Sequence, residues 1–145
     1  VEIYTIGFTQ KSARQFFDIL KGNGIRRVID IRLHNSGQLA GFTKQHDLEY
    51  FLAEICGAEY VHEPRLAPTK ELLSDYRAGR RSWQDYERIF EGLLVERQIA
   101  GTLDQALFDR PAVLLCSEPT ADQCHRRLVA EHLQRHWDGV TIHHL

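Results

Sequence analysis

Residues 114 to 133 read LLCSEPTADQCHRRLVAEHL. An apolar run stops at Cys116, polar residues follow, and Cys124, His125, Arg126 and Arg127 open a helical pattern. Two thiols, an imidazole and two guanidiniums in so short a span are the groups used by thiol chemistry, metal ligation or anion binding. Cys116 ends its run where the nucleophile of many sheet enzymes sits, which makes it the candidate nucleophile or redox thiol. His125 or Glu118 is then the candidate proton-transfer group, provided it reaches the reacting proton. The free N–H groups and positive dipole end of a helix beginning near Ala121 would favour an anion and would lower the Cys124 thiol toward thiolate. Arginine at that end opposes the dipole, so Arg126 or Arg127 makes sense if it turns back to a phosphate, a carboxylate or Glu118. The plainer alternative packs Cys124 as a small hydrophobe and leaves the arginines in water.

Spacing narrows the chemistry. A cysteine phosphatase wraps its phosphate with an arginine at the end of the loop that follows its cysteine. That position is Asp122 counted from Cys116 and Ala130 counted from Cys124, so the mechanism is excluded. A disulfide oxidoreductase places two residues between its cysteines, whereas residues 117 to 123 intervene here. Zinc could draw on Cys116, Cys124, His125 and His34, yet the paired ligand spacing of fingers and ribbons is missing. HEPRL at residue 62 has no second histidine and carries Pro64, which breaks a helix. There is neither a phosphate-binding P-loop nor a dinucleotide glycine fingerprint, so no cofactor is expected.

These residues need a scaffold, and the pattern of elements predicts one. EIYTIG (2–7) reads as a strand, followed by the capping box Ser12-Ala-Arg-Gln15 and a helix with Phe16, Phe17 and Leu20 on one face. RRVIDIRL (26–33) suits a strand buried on both faces. After the loop HNSGQLAGF, Thr43 is the expected N-cap of a helix carrying Leu48, Phe51, Leu52 and Ile55, which Gly57 ends. AEYVHE (58–63) is a third strand, and PRLAPT a turn. Two helices follow, about 70–78 and from Ser82 onward, then a short piece near 102–109. PAVLLC is the fourth strand, Thr120 to Gln123 a second capping box, and a helix runs from about Ala121 to His136. Gly139 leads into a fifth strand, VTIHHL, where His143 and His144 must face opposite ways. Alternating strands and helices predict an α/β single domain over 1–145, a mainly parallel five-stranded sheet with helices on both faces. The expected order is 3-2-1-4-5.

In open α/β sheets ligands bind beyond the carboxyl ends of the strands at the reversal of strand order, here expected between strands one and four. Gly7 and Thr9, Asp30 and Arg32, and Cys116, Ser117 and Glu118 all fall just past strand ends, with His62 and Glu63 beside them. Asp30 and Arg32 form either a structural ion pair or an anion site in which Arg32 holds the ligand and Asp30 orients it or acts as base. The leading expectation is a small anion- or phosphate-ligand-binding enzyme. Cys116, Glu118, Cys124 and His125 carry its chemistry, and Gly7, Thr9, Asp30, Arg32, Ser117 and Arg126 surround its ligand. One alternative is a non-catalytic, nucleic-acid-associated module using Arg77, Arg80 and Arg81 with Trp83 and Tyr86. Another is a metal domain built on Cys116, Cys124 and His125.

The bulk numbers are ordinary: 145 residues, 43% hydrophobic, 26% charged. Such a chain buries about two-thirds of its unfolded surface, which excludes the disordered and collagen-like classes. Its apolar runs are too short to cross a bilayer. A net charge of −2 gives no electrostatic case for nucleic acid. Three cysteines and no secretory signal read as reduced thiols in a cytoplasmic protein.

Seven segments in order, TIGF, VIDIR, GFTK, YVHEPRL, LLCSE, CHRRLVAEHL and IHHL, resemble the domain-of-unknown-function family 488. The resemblance rests on Gly7, Asp30, Arg32, Gly41, Phe42, Cys116, Glu118, Cys124, His125 and Arg126. It implies a compact α/β domain of mostly bacterial and archaeal distribution, with no settled activity and an occasional label as a DNA repair protein. It also implies a histidine after TIG, where this chain has Phe8, so this member either lacks that residue's chemistry or uses His34 or His62 instead.

Overall fold

The computed structural model describes residues 1–36, 41–118 and 120–145; residues 37–40 of the expected 34–42 loop lie outside them. Strand β1 (Glu2–Gly7) leads to helix α1 (Ala13–Gly22) through the expected capping box. Ser12 Oγ accepts from the Gln15 backbone at 3.1 Å, and Gln15 Oε1 accepts from the Ser12 backbone at 2.8 Å. Phe16, Phe17 and Leu20 form the buried face of α1. Strand β2 (Arg27–Asp30) is shorter than the expected 26–33. Its ladder stops where the Asp30 side chain turns to the Arg32 backbone N–H and guanidinium.

A 3-10 turn (Gly41–Thr43) precedes α2 (Gln45–Phe51), and a π-helical turn (Leu52–Cys56) follows it. Thr43 is not the N-cap; Lys44 is, and makes no capping side-chain bond. Thr43 is instead drawn inward, where its carbonyl accepts from Arg32 at 2.6 Å. Gly57 then stops the helix at φ 60°, in the left-handed region open to glycine. Strand β3 (Glu59–His62) is followed by α3 (Lys70–Arg77), α4 (Trp83–Glu96), the single turn α5 (Ile99–Thr102) and a 3-10 turn (Gln105–Phe108).

Strand β4 (Ala112–Cys116), α6 (His125–His136) and β5 (Thr141–His144) complete the chain. Helix α6 begins at His125, not near Ala121, and Thr120 to Gln123 is not a capping box. Cys124 is its N-cap in an extended conformation (φ −135°, ψ 140°), with its N–H bonded back to the Ala121 carbonyl. Gln123, whose side chain a capping box would turn inward, accepts instead from the Tyr76 hydroxyl at 3.2 Å.

The sheet is parallel throughout and five-stranded, in the order β3-β2-β4-β1-β5. The expectation 3-2-1-4-5 is corrected: β4 and β1 exchange places. All five residues of β4 are buried, whereas β1 opens on the exposed Glu2, so the more apolar strand takes the centre. Strand alternation sorts the core. Ile3, Ile29, Ala112 and Leu114 face α4 and α6, while Ile6, Val28, Val113 and Leu115 face α1 and α2. Each fully buried Val, Leu or Ile among them contributes about 1.5–3 kcal/mol relative to exposure. The crossover after β2 leaves toward β3 and the one after β4 leaves toward β5. The two diverge beyond the ends of β2 and β4, so the crevice opens there and not between β1 and β4.

Candidate thiol site

Alternation along β4 puts Cys116 on the same face as Ala112 and Leu114, under α4 and α6. The loop that follows is pinned to β1. Both the backbone N–H (3.0 Å) and the hydroxyl of Thr9 donate to the Ser117 carbonyl. Gly7 makes this approach possible: a Cβ there would lie 1.5 Å from the Glu118 carbonyl oxygen and 2.5 Å from an Arg126 terminal nitrogen. Only a hydrogen fits.

Three ligand-type atoms meet at the end of β4. Cys116, Cys124 and His125 are each more than nine-tenths buried, and their sulfurs and one ring nitrogen all lie within 4.8 Å of one another. His125 Nε2 is 2.8 Å from the Ile31 carbonyl. A carbonyl only accepts, so Nε2 carries the hydrogen and Nδ1 faces Cys116 Sγ at 3.4 Å. The imidazole is therefore oriented by one atom and aimed at another, the arrangement of a thiol paired with a base.

The two thiols are electrostatically unlike. Burial pushes the Cys116 thiol up, but a hydrogen bond from Cys124, the Glu118 N–H, the Arg126 charge and the Ser117 N–H together bring it below the ordinary thiol range. Burial pushes Cys124 up, and its bond to Cys116 and the charge there add to the rise. Of the two, Cys116 is the thiol whose ionisation the surroundings favour, and Cys124 the one whose ionisation they oppose.

Arg126 lies behind this sulfur, fully buried. Its Nε donates to Thr5 Oγ1 at 3.2 Å and a terminal nitrogen donates to the Glu118 carbonyl. Among the described residues no carboxylate pairs with it. A buried cation is costly without a counter-charge, and the charge of Arg126 is one of the influences that lower the Cys116 thiol. Thr5 Oγ1 is also 2.6 Å from His144 Nδ1. Because the hydroxyl accepts from Arg126, its own hydrogen goes to His144. Burial first and Arg126 next lower the pKa of that imidazole, which suits it to accept.

Arg32 is held differently. It meets Asp30 in a fork, Nε to one oxygen and NH2 to the other, both at 2.9 Å, and NH2 also reaches the Thr43 carbonyl. The Tyr60 hydroxyl donates to Asp30 as well. Burial raises the Tyr60 pKa, and its bond to Asp30 raises it further. Phe8 stacks beneath the guanidinium, with 5.3 Å from the Arg32 central carbon to the ring centroid. His62 Nε2 lies 3.2 Å from the Arg32 carbonyl. The position where the resemblance implies a histidine is thus filled by a ring that supports Arg32. With Nε and NH2 committed, NH1 is what Arg32 can offer a ligand.

A cavity of about 80 Å³ opens over the thiols. One water needs only ~10–15 Å³ measured this way. The cavity is lined by Cys116, Ser117, Glu118, Cys124 and His125, by Arg32 and His34, and by Tyr76, Trp83 and Tyr86. Of the residues singled out in the sequence, Gly7, Thr9, Asp30 and Arg126 do not line it; they hold the groups that do. Thr5, Tyr60, His144 and the Ile31 carbonyl were not anticipated. A threonine inside the apolar IYTIG is the one local signal that could have marked Thr5. The basic cluster divides: Arg80 and Arg81 both pair with Asp75, while Arg77 lines the cavity with Trp83 and Tyr86, whose ring centroids are 5.1 Å apart.

No curated protein and no solved structure matches the chain. A family model does match, over residues 12–133, a span that includes β2, β4, the whole Cys116–His125 loop and most of α6. The chain that carries this buried Cys–His–Cys cluster belongs to the family described as domain of unknown function DUF488.

Proposed function

We propose that the protein is a thiol-dependent enzyme acting on a small ligand that enters the cavity between the ends of β2 and β4. The observation that carries this reading is the contact of Cys116 Sγ with His125 Nδ1 at 3.4 Å, with Nε2 tied to the Ile31 carbonyl, at a cavity wall. Cys116 is the nucleophile. His125 takes its proton and returns it to the leaving group. The N–H groups of Ser117 and Glu118, which stabilise charge on the sulfur, are placed to share charge that develops on the ligand. An anionic group on the ligand, phosphate-bearing or otherwise, would be met by Arg32 NH1 and the Ser117 side chain. Arg126 takes part through the sulfur and not by touching the ligand.

The test is iodoacetamide alkylation of the reduced protein as a function of pH, mapped by peptide mass. Cys56, half-buried with a thiol pushed up by burial, serves as the internal reference. Cys116 is expected to react with a midpoint below the ordinary thiol pKa of ~8.5. A Cys116 profile no different from that of Cys56 ends the proposal.

The same three ligands favour a second reading, a thiophilic divalent metal such as zinc, with the cavity supplying a fourth, open position. Equilibrium dialysis against zinc decides it. Stoichiometric uptake that is lost in both Cys116→Ser and Cys124→Ser supports the metal reading, and no uptake removes it.

A further inference from the structure

Cys124 has no part in the catalytic step above, yet its sulfur lies within 4.8 Å of the Cys116 sulfur, in the wall of the same cavity. Three features of its surroundings bear on what it does. Its side chain caps no helix N–H and is turned instead to Cys116, to which it is hydrogen-bonded. Its backbone is the extended N-cap of α6, its carbonyl accepting from the Arg127 N–H at 3.1 Å, and Ser117 and residues 120–123 between the two thiols are turn and bend. The cavity exceeds the space of one water several-fold, so a hydroperoxide fits in it.

We propose that Cys116 and Cys124 are an oxidisable pair: a hydroperoxide oxidises Cys116 and Cys124 closes the disulfide. The inference rests on the reading of Cys116 as the reactive thiol. In the first step the Cys116 thiolate attacks one peroxide oxygen. An S–O bond forms, the O–O bond breaks, and the other oxygen leaves as hydroxide or alkoxide, which takes up a proton. In the second step the Cys124 sulfur attacks the Cys116 sulfenic acid. An S–S bond forms, the S–O bond breaks, and the hydroxide released combines with the Cys124 proton as water. Two electrons pass from the thiols to the peroxide, and a dithiol reductant returns them. The geometry suits this order, since Cys116 Sγ is the sulfur that faces the oriented His125 Nδ1 at 3.4 Å and Cys124 waits within reach of it. Closing the sulfurs to ~2 Å draws the N-cap of α6 toward β4. It also removes the negative charge facing Arg126, which then keeps only the neutral oxygens of Thr5 and Glu118. The oxidised protein is therefore expected to melt at a lower temperature than the reduced one.

Reduced protein is exposed to hydrogen peroxide, capped with iodoacetamide and digested with trypsin. No Lys or Arg lies between Pro111 and His125, so both thiols stay in one peptide and the disulfide reads as the loss of two hydrogens. The expected result is that peptide lacking two hydrogens and both caps, with Cys56 still alkylated. In Cys124→Ser, dimedone should trap a sulfenic acid on Cys116. Peroxide that leaves all three thiols alkylatable, or oxidises Cys56 or Cys124 first, overturns the inference. If Cys116 alkylates at low pH but no disulfide forms, this inference fails and the proposed function stands. An ordinary alkylation profile at Cys116 removes both.

Discussion

At the residue scale, the site depends on a glycine and on an arginine that touch no ligand. In Gly7→Ala the new methyl overlaps the Glu118 carbonyl and the Arg126 guanidinium. The loop after β4 must then shift, at the cost of overpacked sites, about 1–3 kcal/mol. Urea denaturation measures the loss, and the alkylation midpoint of Cys116 should rise with it. Arg126→Gln keeps a donor and removes the charge. Its expected signature is a Cys116 midpoint displaced upward toward ~8.5, read from the same alkylation series with Cys56 as reference. The candidate thiols and histidine could be picked out from residue type alone, because each stands beyond an apolar run or at a helix start. The direction of the Cys124 shift could not: the helix start was expected to lower that thiol, and burial raises it. Whether Arg126 meets a ligand or a sulfur depends on burial, which the local pattern CHRR does not encode.

At the element scale, two capping boxes with the same spelling have different fates. Ser12 and Gln15 close one; Thr120 and Gln123 do not, because the chain turns until Cys124 and Gln123 is occupied by Tyr76. Ser12→Ala should therefore cost about 1 kcal/mol in urea unfolding. Thr120→Ala, at an exposed position, should stay within about 0.5 kcal/mol of zero. Capping boxes are local patterns, and here a tertiary hydrogen bond outweighs one of them. Strand order was hidden for a related reason. The alternation of helices and strands dictates parallel pairing and covered faces, and both came through. Right-handed crossovers, however, permit β4 on either side of β1, and burial of the apolar AVLLC decides between them.

At the scale of the whole molecule, several buried acids set how stability varies with pH. Tyr60 and Tyr86 have pKa values raised, chiefly by burial, and so does Cys124. Each is neutral when folded and loses its proton more readily when unfolded. Their stabilisation is complete below the unfolded values, ~8.5 for Cys and ~10 for Tyr, and is lost as pH rises beyond them. Glu91 runs the other way. Burial opposes its charge, but bonds from His132 and Arg135 lower its pKa, so its contribution is present above ~4.3 and disappears as pH falls through the folded value. Cys116, also lowered, adds stability as pH climbs toward the ordinary thiol range and partly offsets the alkaline loss. The urea midpoint should accordingly pass through a plateau near neutrality and fall on both sides. An alkaline fall that persists unchanged in Tyr86→Phe would mean that Tyr86 plays no part in it.

The outermost strand β5 carries the solvent-exposed His144, yet one hydroxyl, Thr5 Oγ1, joins that imidazole to the guanidinium behind Cys116. Mild acid that protonates His144 strips Thr5 of its acceptor and sets a second cation beside the first. The molecule thus has a tuning peg at its rim: an accessible ring whose protonation is transmitted across two neighbouring strands to a sulfur that bulk water scarcely reaches.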